Sequence, residues 1–439
     1  MSNKTLLRNT FDELLKEITP QSLIAQQVRL KGDTLRISNT DYDLSRYKKI
    51  YLLGSGKAVI PMAKEVHGLL SSYITQTLII GAYDCNEKFD DCLYFKSTHP
   101  LPSSKSVQAA KSLQTIMSQC DEDDLFIYLL SGGSSAMIEL PEETISLKEF
   151  QETTALMLRG GMPIEKMNSV RKHISQVKGG KLANHTKAEG IVLVLSDVIG
   201  DDLHVIGSAP LYYDTSSFED SVSALKEYGL FKKIPSSVRN FLKEGEQGLH
   251  EETPKAAHQH IHHYILGSNS LVLEKAHEIL RKKGVEASVI EKPYNGDVNE
   301  LAEEFIQFAK RHQGREHCYV FGGESTVLVD GEGKGGRNQH LCLSILGHLD
   351  GKIDLTFLSA ATDGVDGNSD AAGALIDLHS PANAISHNLE VEYYLDTFDS
   401  NSFFDQTGEL LIPGPTHNNL LDIVMMLIKP KPTLGDIDG

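Results

Sequence analysis

The sequence predicts an α/β protein of two domains, the first a doubly wound, Rossmann-like parallel sheet and the second a smaller α/β domain. Three observations carry this. A length of 439 residues exceeds what one ordinary core fills and suits two. The runs KKIYLLGSG from Lys48, DLFIYLLSGG from Asp124 and GIVLVLSDVIG from Gly190 are continuously apolar rather than alternating, as strands buried on both faces of a parallel sheet must be. Such runs are followed by glycine and then by a helical stretch, the order of a repeating β-α unit.

In chain order, MSNKTLLRNTFDELLKEI reads as an amphipathic helix. The strand at Ile50 leads to a helix from Ala58; QTLIIGAYD is a second strand. Helices are predicted after Pro102, from Ser146, and from about Pro163 to Asn184. From Glu244 to His263 the text becomes EGEQGLHEETPKAAHQHIHH, polar and aperiodic, which marks the domain boundary. The expected division is 1–245 and 246–439. After it come HYILGSNS, a helix to about Lys283, EASVI, a helix near Asp297 to Arg311, the strands HCYVFGGESTVLV and DLTFLSAATDG, and a closing LLDIVMMLI.

Composition removes several classes of function. A hydrophobic share of 40% with 23% charged residues belongs to a folded globular chain. A net charge of −18 argues against nucleic acid and anionic membranes, which are gripped by clustered Lys and Arg. The opening lacks a signal peptide's apolar core and no run is long enough to span a bilayer, so a cytoplasmic location with no membrane partner is expected. Five cysteines without a CxxC pair form neither a disulfide framework nor a zinc signature. His258, His260, His262 and His263 lie in the boundary segment without a companion Cys or Glu at fixed spacing, and read as polar linker more readily than as a metal site.

Ligands of open parallel sheets bind beyond the carboxyl ends of the strands, which singles out five loops. Gly54-Ser55-Gly56-Lys57 places backbone N–H groups and one ammonium at the start of a helix, where anions are favoured; the alternative is a tight strand-to-helix turn. Ser131-Gly132-Gly133-Ser134-Ser135 offers hydroxyls and N–H groups without bulk, a nest for a carboxylate or phosphate, or else a flexible turn. Arg171 and Lys178, seven apart on the expected helix, share a face and either clamp an anion or lie in solvent. Asp197, Asp201 and Asp202 follow one strand; Asp363, Asp366 and Asp370 follow another. Hard oxygen ligands of this kind suit Mg²⁺. The remaining loop, Gly322-Gly323-Glu324-Ser325-Thr326, leads to Gly335-Gly336-Arg337-Asn338, where a guanidinium among glycines can approach a phosphoryl group; a glycine-rich hairpin is its alternative.

Together these segments resemble the class II glycerate 2-kinases, a family with an amino-terminal kinase domain followed by a MOFRL domain. GSGKA at 54–58, HPLP at 99–102, LLSGGSSA at 129–136, NSVRKHIS at 168–175, KGGKLA at 178–183, SDVIGDD at 196–202, GSAP at 207–210, GGEST at 322–326, GGRNQ at 335–339 and ATDGVDG at 361–367 run in family order over most of the chain. The family's closing P-T-G-T-N-x-N-D stretch stands here as Pro415-Thr416-His417-Asn418-Asn419-Leu420-Leu421-Asp422, with Leu421 in place of the second Asn.

The resemblance implies ATP-dependent phosphorylation of D-glycerate at its 2-hydroxyl, with Mg²⁺, at an active site in the cleft between domains. By position, catalytic roles fall on Lys57, Asp197, Arg337 and Asp363. The expected acceptor site is Ser131, Gly132, Gly133, Ser134, Ser135 and Arg171. The expected nucleotide site is Gly54, Ser55, Gly56, Gly323, Glu324, Ser325, Thr326 and Asn338; the expected metal ligands are Asp363 and Asp366. D-glycerate and ATP are the expected partners, with a homodimer as the assembly considered. Two rivals remain open. A nicotinamide-dependent hydroxypyruvate reductase needs a dinucleotide fingerprint with an acidic residue about 20 positions beyond the first strand, which is absent. A non-catalytic small-molecule-binding protein is disfavoured by the joint presence of Lys57, Asp197, Arg337 and Asp363.

Overall fold

The computed structural model describes residues 1–85, 92–349 and 353–430. They form two compact units, each built on a six-stranded sheet. One is Leu23–Leu266; the other joins Met1–Ser22 to the chain from Gly267 onward.

The sheet of the Leu23–Leu266 unit comprises β1 (Ile50–Ser55), β2 (Ile74–Gly81), β3 (Cys92–Lys96), β4 (Leu125–Leu130), β5 (Glu189–Leu195) and β6 (Ile261–Gly267), in spatial order β3-β2-β1-β4-β5-β6. The β3–β2, β2–β1, β1–β4 and β4–β5 pairs are parallel. Every residue of β1 and β4 is buried, which explains their unbroken apolar text. Successive strands run outward one way from β1 and then the other way from β4, so the switch point lies between these two neighbours. Serines mark the helix starts: Ser103, Ser146 and Ser217 each complete a capping box before Ser104–Gln119, Leu147–Arg159 and Phe218–Glu227, satisfying backbone donors that the first turn leaves open. A separate helical core gathers Phe150, Met157, Val170, Phe218 and Phe241.

Two expectations are corrected here. The division at 245/246 falls too early, because the polar run after Glu246 returns to the first sheet: Gly190 N donates to His260 O at 2.8 Å, and His262 and His263 lie on β6. The helix expected to reach Asn184 ends at His173. Beyond it Glu142 N donates to Ile174 O and Gln176 N to Leu140 O, so the backbone pairs with a neighbouring segment instead of itself.

The second unit carries β7 (Ala287–Asp297), β8 (His317–Thr326), β9 (Asp354–Ala361), β10 (Gly373–Ile376), β11 (Leu410–Leu411) and β12 (Asp422–Lys429), ordered β7-β8-β12-β9-β10-β11. Only β7–β8 is parallel; the other pairs are antiparallel. The late strand β12 is central, and all of its residues but Lys429 are buried. The opening helix, Asn3–Glu17, belongs to this unit. Its Leu7, Phe11 and Leu14 are fully buried, each worth about 2 kcal/mol of apolar burial. Ion pairs from Lys283 to Glu13 at 2.5 Å and Lys275 to Glu17 at 3.6 Å set its polar edge against the helix Asn269–Lys282 and the residue that ends it.

Candidate active site

At the switch point, the carboxyl ends of β1, β4 and β5 bring Lys57, the Ser131–Ser135 turn and Asp197 together. A Cβ on Gly132 would overlap the Asp197 carboxylate, and one on Gly133 would stand 3.0 Å from the His99 ring and 3.3 Å from Lys57 Cγ. Both glycines are therefore required by close approach. Gly133, at φ 82°, opens the short helix Ser134–Met137 from the left-handed region, where a side chain is strained. Lys57 and Asp197 are half-buried. His99 keeps much of its surface in solvent; partial loss of hydration, with the Lys57 ammonium adding to it, holds its imidazole below the usual range.

Arg171 reaches this turn. Its Nη2 donates to Ser135 Oγ at 2.6 Å and its Nη1 to Asn168 Oδ1 at 3.4 Å, while Nε is buried without a partner. Burial pulls the guanidinium pKa down, and Glu139 opposes that. Ser208 Oγ joins the group, 2.8 Å from Ser135 Oγ and 3.3 Å from Asn168 Oδ1. Lys178 does not share a helical face with Arg171. It is fully buried and paired with Glu139 at 2.6 Å.

The GSGK turn departs from the phosphate nest expected of it. Gly56 N donates to Ile80 O, Lys57 N to Gly132 O and Ala58 N to Ser131 Oγ, so these amides already have protein acceptors. Ser55 Oγ bonds Tyr128 at 2.6 Å and Ser134 at 2.5 Å. A Cβ on Gly54 would meet Val59 and Leu129, and one on Gly56 would meet Ser131. Gly54, Ser55 and Gly56 thus brace the SGGSS turn, and the Lys57 side chain is what this loop presents.

In the other unit, Arg337 begins the helix Arg337–Gly347, as the sequence predicts. Its Nε and Nη2 donate to Asp422 at 2.6 and 3.1 Å, and its Nη1 lies 2.6 Å from Glu324 Oε1. Burial works against the guanidinium charge, but the two carboxylates outweigh it and hold Arg337 firmly protonated. Asp422 is itself buried, which pushes its pKa up against the pull of Arg337. The register Gly323↔Asp422↔Ala361 places Glu324, Asp422 and Asp363 at one end of β8, β12 and β9.

Several expectations change here. Gly322–Thr326 is not a loop but the end of β8. A Cβ on Gly322 would strike Asn269 and one on Gly323 would strike Tyr294, so both glycines serve packing. Ser325 is buried, with Oγ unpartnered, and Thr326 is exposed. Asp366 is not free to take a metal. Its Oδ1 accepts from Asn338 N at 3.1 Å and Nδ2 at 3.3 Å, and its Oδ2 from Gln339 N at 2.8 Å and Nε2 at 3.0 Å. It caps the Arg337 helix, while burial pushes its pKa up to about 6 against those bonds. Asn338 is consumed by the same network, its Oδ1 accepting from Ser359 Oγ at 2.6 Å. Asp363 is half-buried, accepting from Val365 N at 3.0 Å. Among the described residues no three His, Cys, Asp or Glu side chains gather as a metal cage.

Comparison with known proteins bears on both units. A family described as a domain of unknown function, DUF4147, matches residues 6–243, and the MOFRL family matches residues 317–422. A glycerate 2-kinase of Pyrococcus horikoshii is 34% identical over 95% of this chain and 96% of its own length, and a D-glycerate 2-kinase of Thermotoga maritima is 35% identical over 87% and 91%. The chain belongs to the glycerate 2-kinase family. A crystal structure of a glycerate kinase from Thermotoga maritima superposes with a TM-score of 0.85 at 31% identity, covering 97% of this chain and 99% of that one.

For this glycerate 2-kinase family member, the residues that sequence reasoning missed are His99, Asn168, Ser208, Glu139 and Asp422. The first three, with Asp422, lie inside the family-like motifs, but only folding shows which side chains face the turn or, for Asp422, Arg337. Glu139 lay in none. Its one signal was an acidic residue shortly after a glycine-serine turn in otherwise apolar text.

Proposed function

We propose that the chain transfers the γ-phosphoryl group of ATP to the 2-hydroxyl of D-glycerate, giving 2-phospho-D-glycerate and ADP. The observation that carries this reading is the convergence of Lys57, Asp197 and the SGGSS turn with Arg171 at a switch point, in a chain of this family. Ser135 and Arg171 hold the acceptor carboxylate, a forked task suited to Arg. Asp197 orients the 2-hydroxyl and takes its proton as the oxygen attacks the γ-phosphorus and the bond to the β-γ bridging oxygen breaks. Lys57 meets charge that develops on the transferring group, which is where preorganised donors act; Arg337, within its own unit, is a preorganised cation of the same kind. The bonding of Asp366 does not fit a two-carboxylate metal site. Mg²⁺ therefore enters as part of the substrate, Mg-ATP, an ion that keeps several waters and rides on phosphates.

Among the described residues no helix is long and apolar enough to cross a membrane. The test is to incubate the protein with Mg-ATP and a panel of hydroxy acids, follow ADP release, and identify the product by ³¹P NMR. ADP release with D-glycerate and a 2-phosphate product is expected. Hydride transfer from NADH to hydroxypyruvate at a matching rate, or a 3-phosphate product, would overturn the reading.

A further inference from the structure

Behind the Arg171 guanidinium lies an ion pair that none of the proposed roles uses. The side chains of Glu139 and Lys178 are both completely buried, 2.6 Å apart, and Lys178 Nζ also donates to Ile138 O at 3.0 Å. Lys178 stands where three loops cross. It grips the chain just beyond Ser134–Met137, and it follows the segment leaving the Arg171 helix. Its neighbours Gly179 N and Gly180 N donate to Ser208 O at 3.1 Å and Ala209 O at 2.7 Å. Buried ion pairs are poor stabilisers, since apolar residues of similar shape do as well or better.

Two buried atoms lack partners in this cluster: Glu139 Oε1 and Arg171 Nε. Arg171, Lys178 and Glu139 together carry one net positive charge. We propose that Glu139 and Lys178 are positioning residues that set the turn against Arg171 and fix that single excess charge, so the site selects a small monocarboxylic hydroxy acid over a polyol or a dicarboxylate. This rests on reading Ser131–Ser135 and Arg171 as the acceptor site. One bound carboxylate neutralises the cluster. A polyol leaves a buried cation uncompensated, and a dicarboxylate leaves a buried anion, each of which is costly away from water. The charges sense one another: Glu139 favours the charged forms of both cations, and Arg171 works against that of Lys178.

Charge complementation tests the idea. Lys178→Met cancels the excess charge; Lys178→Met with Glu139→Gln restores it without the pair. The single variant is expected to raise KM for D-glycerate roughly tenfold, KM for Mg-ATP by no more than about twofold, and kcat to fall less than KM rises. The double variant is expected to return KM for D-glycerate to within about threefold of wild type. A double variant no better than the single, or a parallel rise in both KM values, overturns the proposal. If Lys178→Met does not fold, as judged by circular dichroism, the folded double variant decides by the same threefold limit against wild type. In the wild-type protein, lactate should compete with D-glycerate while glycerol and tartronate should not; equal competition by glycerol also overturns it. Arg171→Met separates the two readings. If it leaves KM for D-glycerate unchanged, the acceptor-site reading fails; if it raises KM while the Lys178 variants do not, only this inference fails.

Discussion

Replacing Gly132 with alanine tests the placement of Asp197 by the smallest available change. Gly132 does not occupy the left-handed region, so alanine fits its backbone without strain, and the cost falls on what the new methyl meets. That methyl would stand 2.6 Å from Asp197 Cγ and 3.3 Å from its Cβ, where ordinary contact begins near 3.4 Å. Asp197 Oδ2 would be nearer still, so the carboxylate must retreat by more than 1 Å. It is the end of a short, half-buried side chain, so the stability loss should stay below about 1.5 kcal/mol. A catalytic group misplaced by about 1 Å loses on the order of a hundredfold in rate. The assay is kcat for D-glycerate at saturating Mg-ATP, followed by ADP release, beside a thermal melt. A hundredfold loss is expected, with melting within about 5 °C of wild type and KM for Mg-ATP within about threefold. A folded Gly132→Ala protein that keeps kcat to within about threefold would remove Asp197 from the chemistry.

Lys57→Ala should lower kcat roughly a hundredfold with far less change in nucleotide affinity, and so should Arg337→Lys, which keeps a cation opposite Asp422 but loses the fork; wild-type kcat in folded variants would place the chemistry elsewhere. Asp366→Ala should cost about 3 kcal/mol in a denaturant titration by stripping the cap of the Arg337 helix while leaving the Mg²⁺ dependence of the rate in place; an Asp366 variant that shifts Mg²⁺ dependence alone contradicts the cap assignment. Burial pushes the Glu252 carboxyl up, but His173, Phe218 N–H and Lys255 outweigh it and bring it to about 2. This depressed pKa supplies stability that is complete above the ordinary carboxylate range and is lost as pH falls toward about 2. With 38% of that side chain in solvent, the contribution is about 1–2 kcal/mol. Acid unfolding of Glu252→Gln should accordingly lose stability less steeply below the carboxylate range than wild type; identical slopes refute this.

Local pattern carried much of this protein because it reflects single elements. Continuous apolar runs are enough to identify β1, β4 and β5, since a strand buried on both faces tolerates nothing else. The helix expected from Ser146 begins at Leu147, and the one expected near Asp297 to Arg311 spans Val298–Arg311. Glycine at the ends of strands pointed to the SGGSS turn, and of the two places open to Arg171 the structure takes the one against it.

What failed depended on long-range pairing. Polar text between Glu244 and His263 reads as a boundary, yet β6 returns to the first sheet, where Gly190 N finds an acceptor at His260 O. The opening helix joins the chain beyond Gly267 because its apolar stripe finds cover there. Two aspartates three apart look like metal ligands, but whether Asp366 meets an ion or a helix start depends on where the Arg337 helix begins in space. GSGK looks like a phosphate nest until Ile80, Gly132 and Ser131 take its amides. A sequence determines which groups can donate, accept or carry charge; only the tertiary structure decides which are already satisfied, because hydrogen bonds and charges are exhausted by partners distant in the chain.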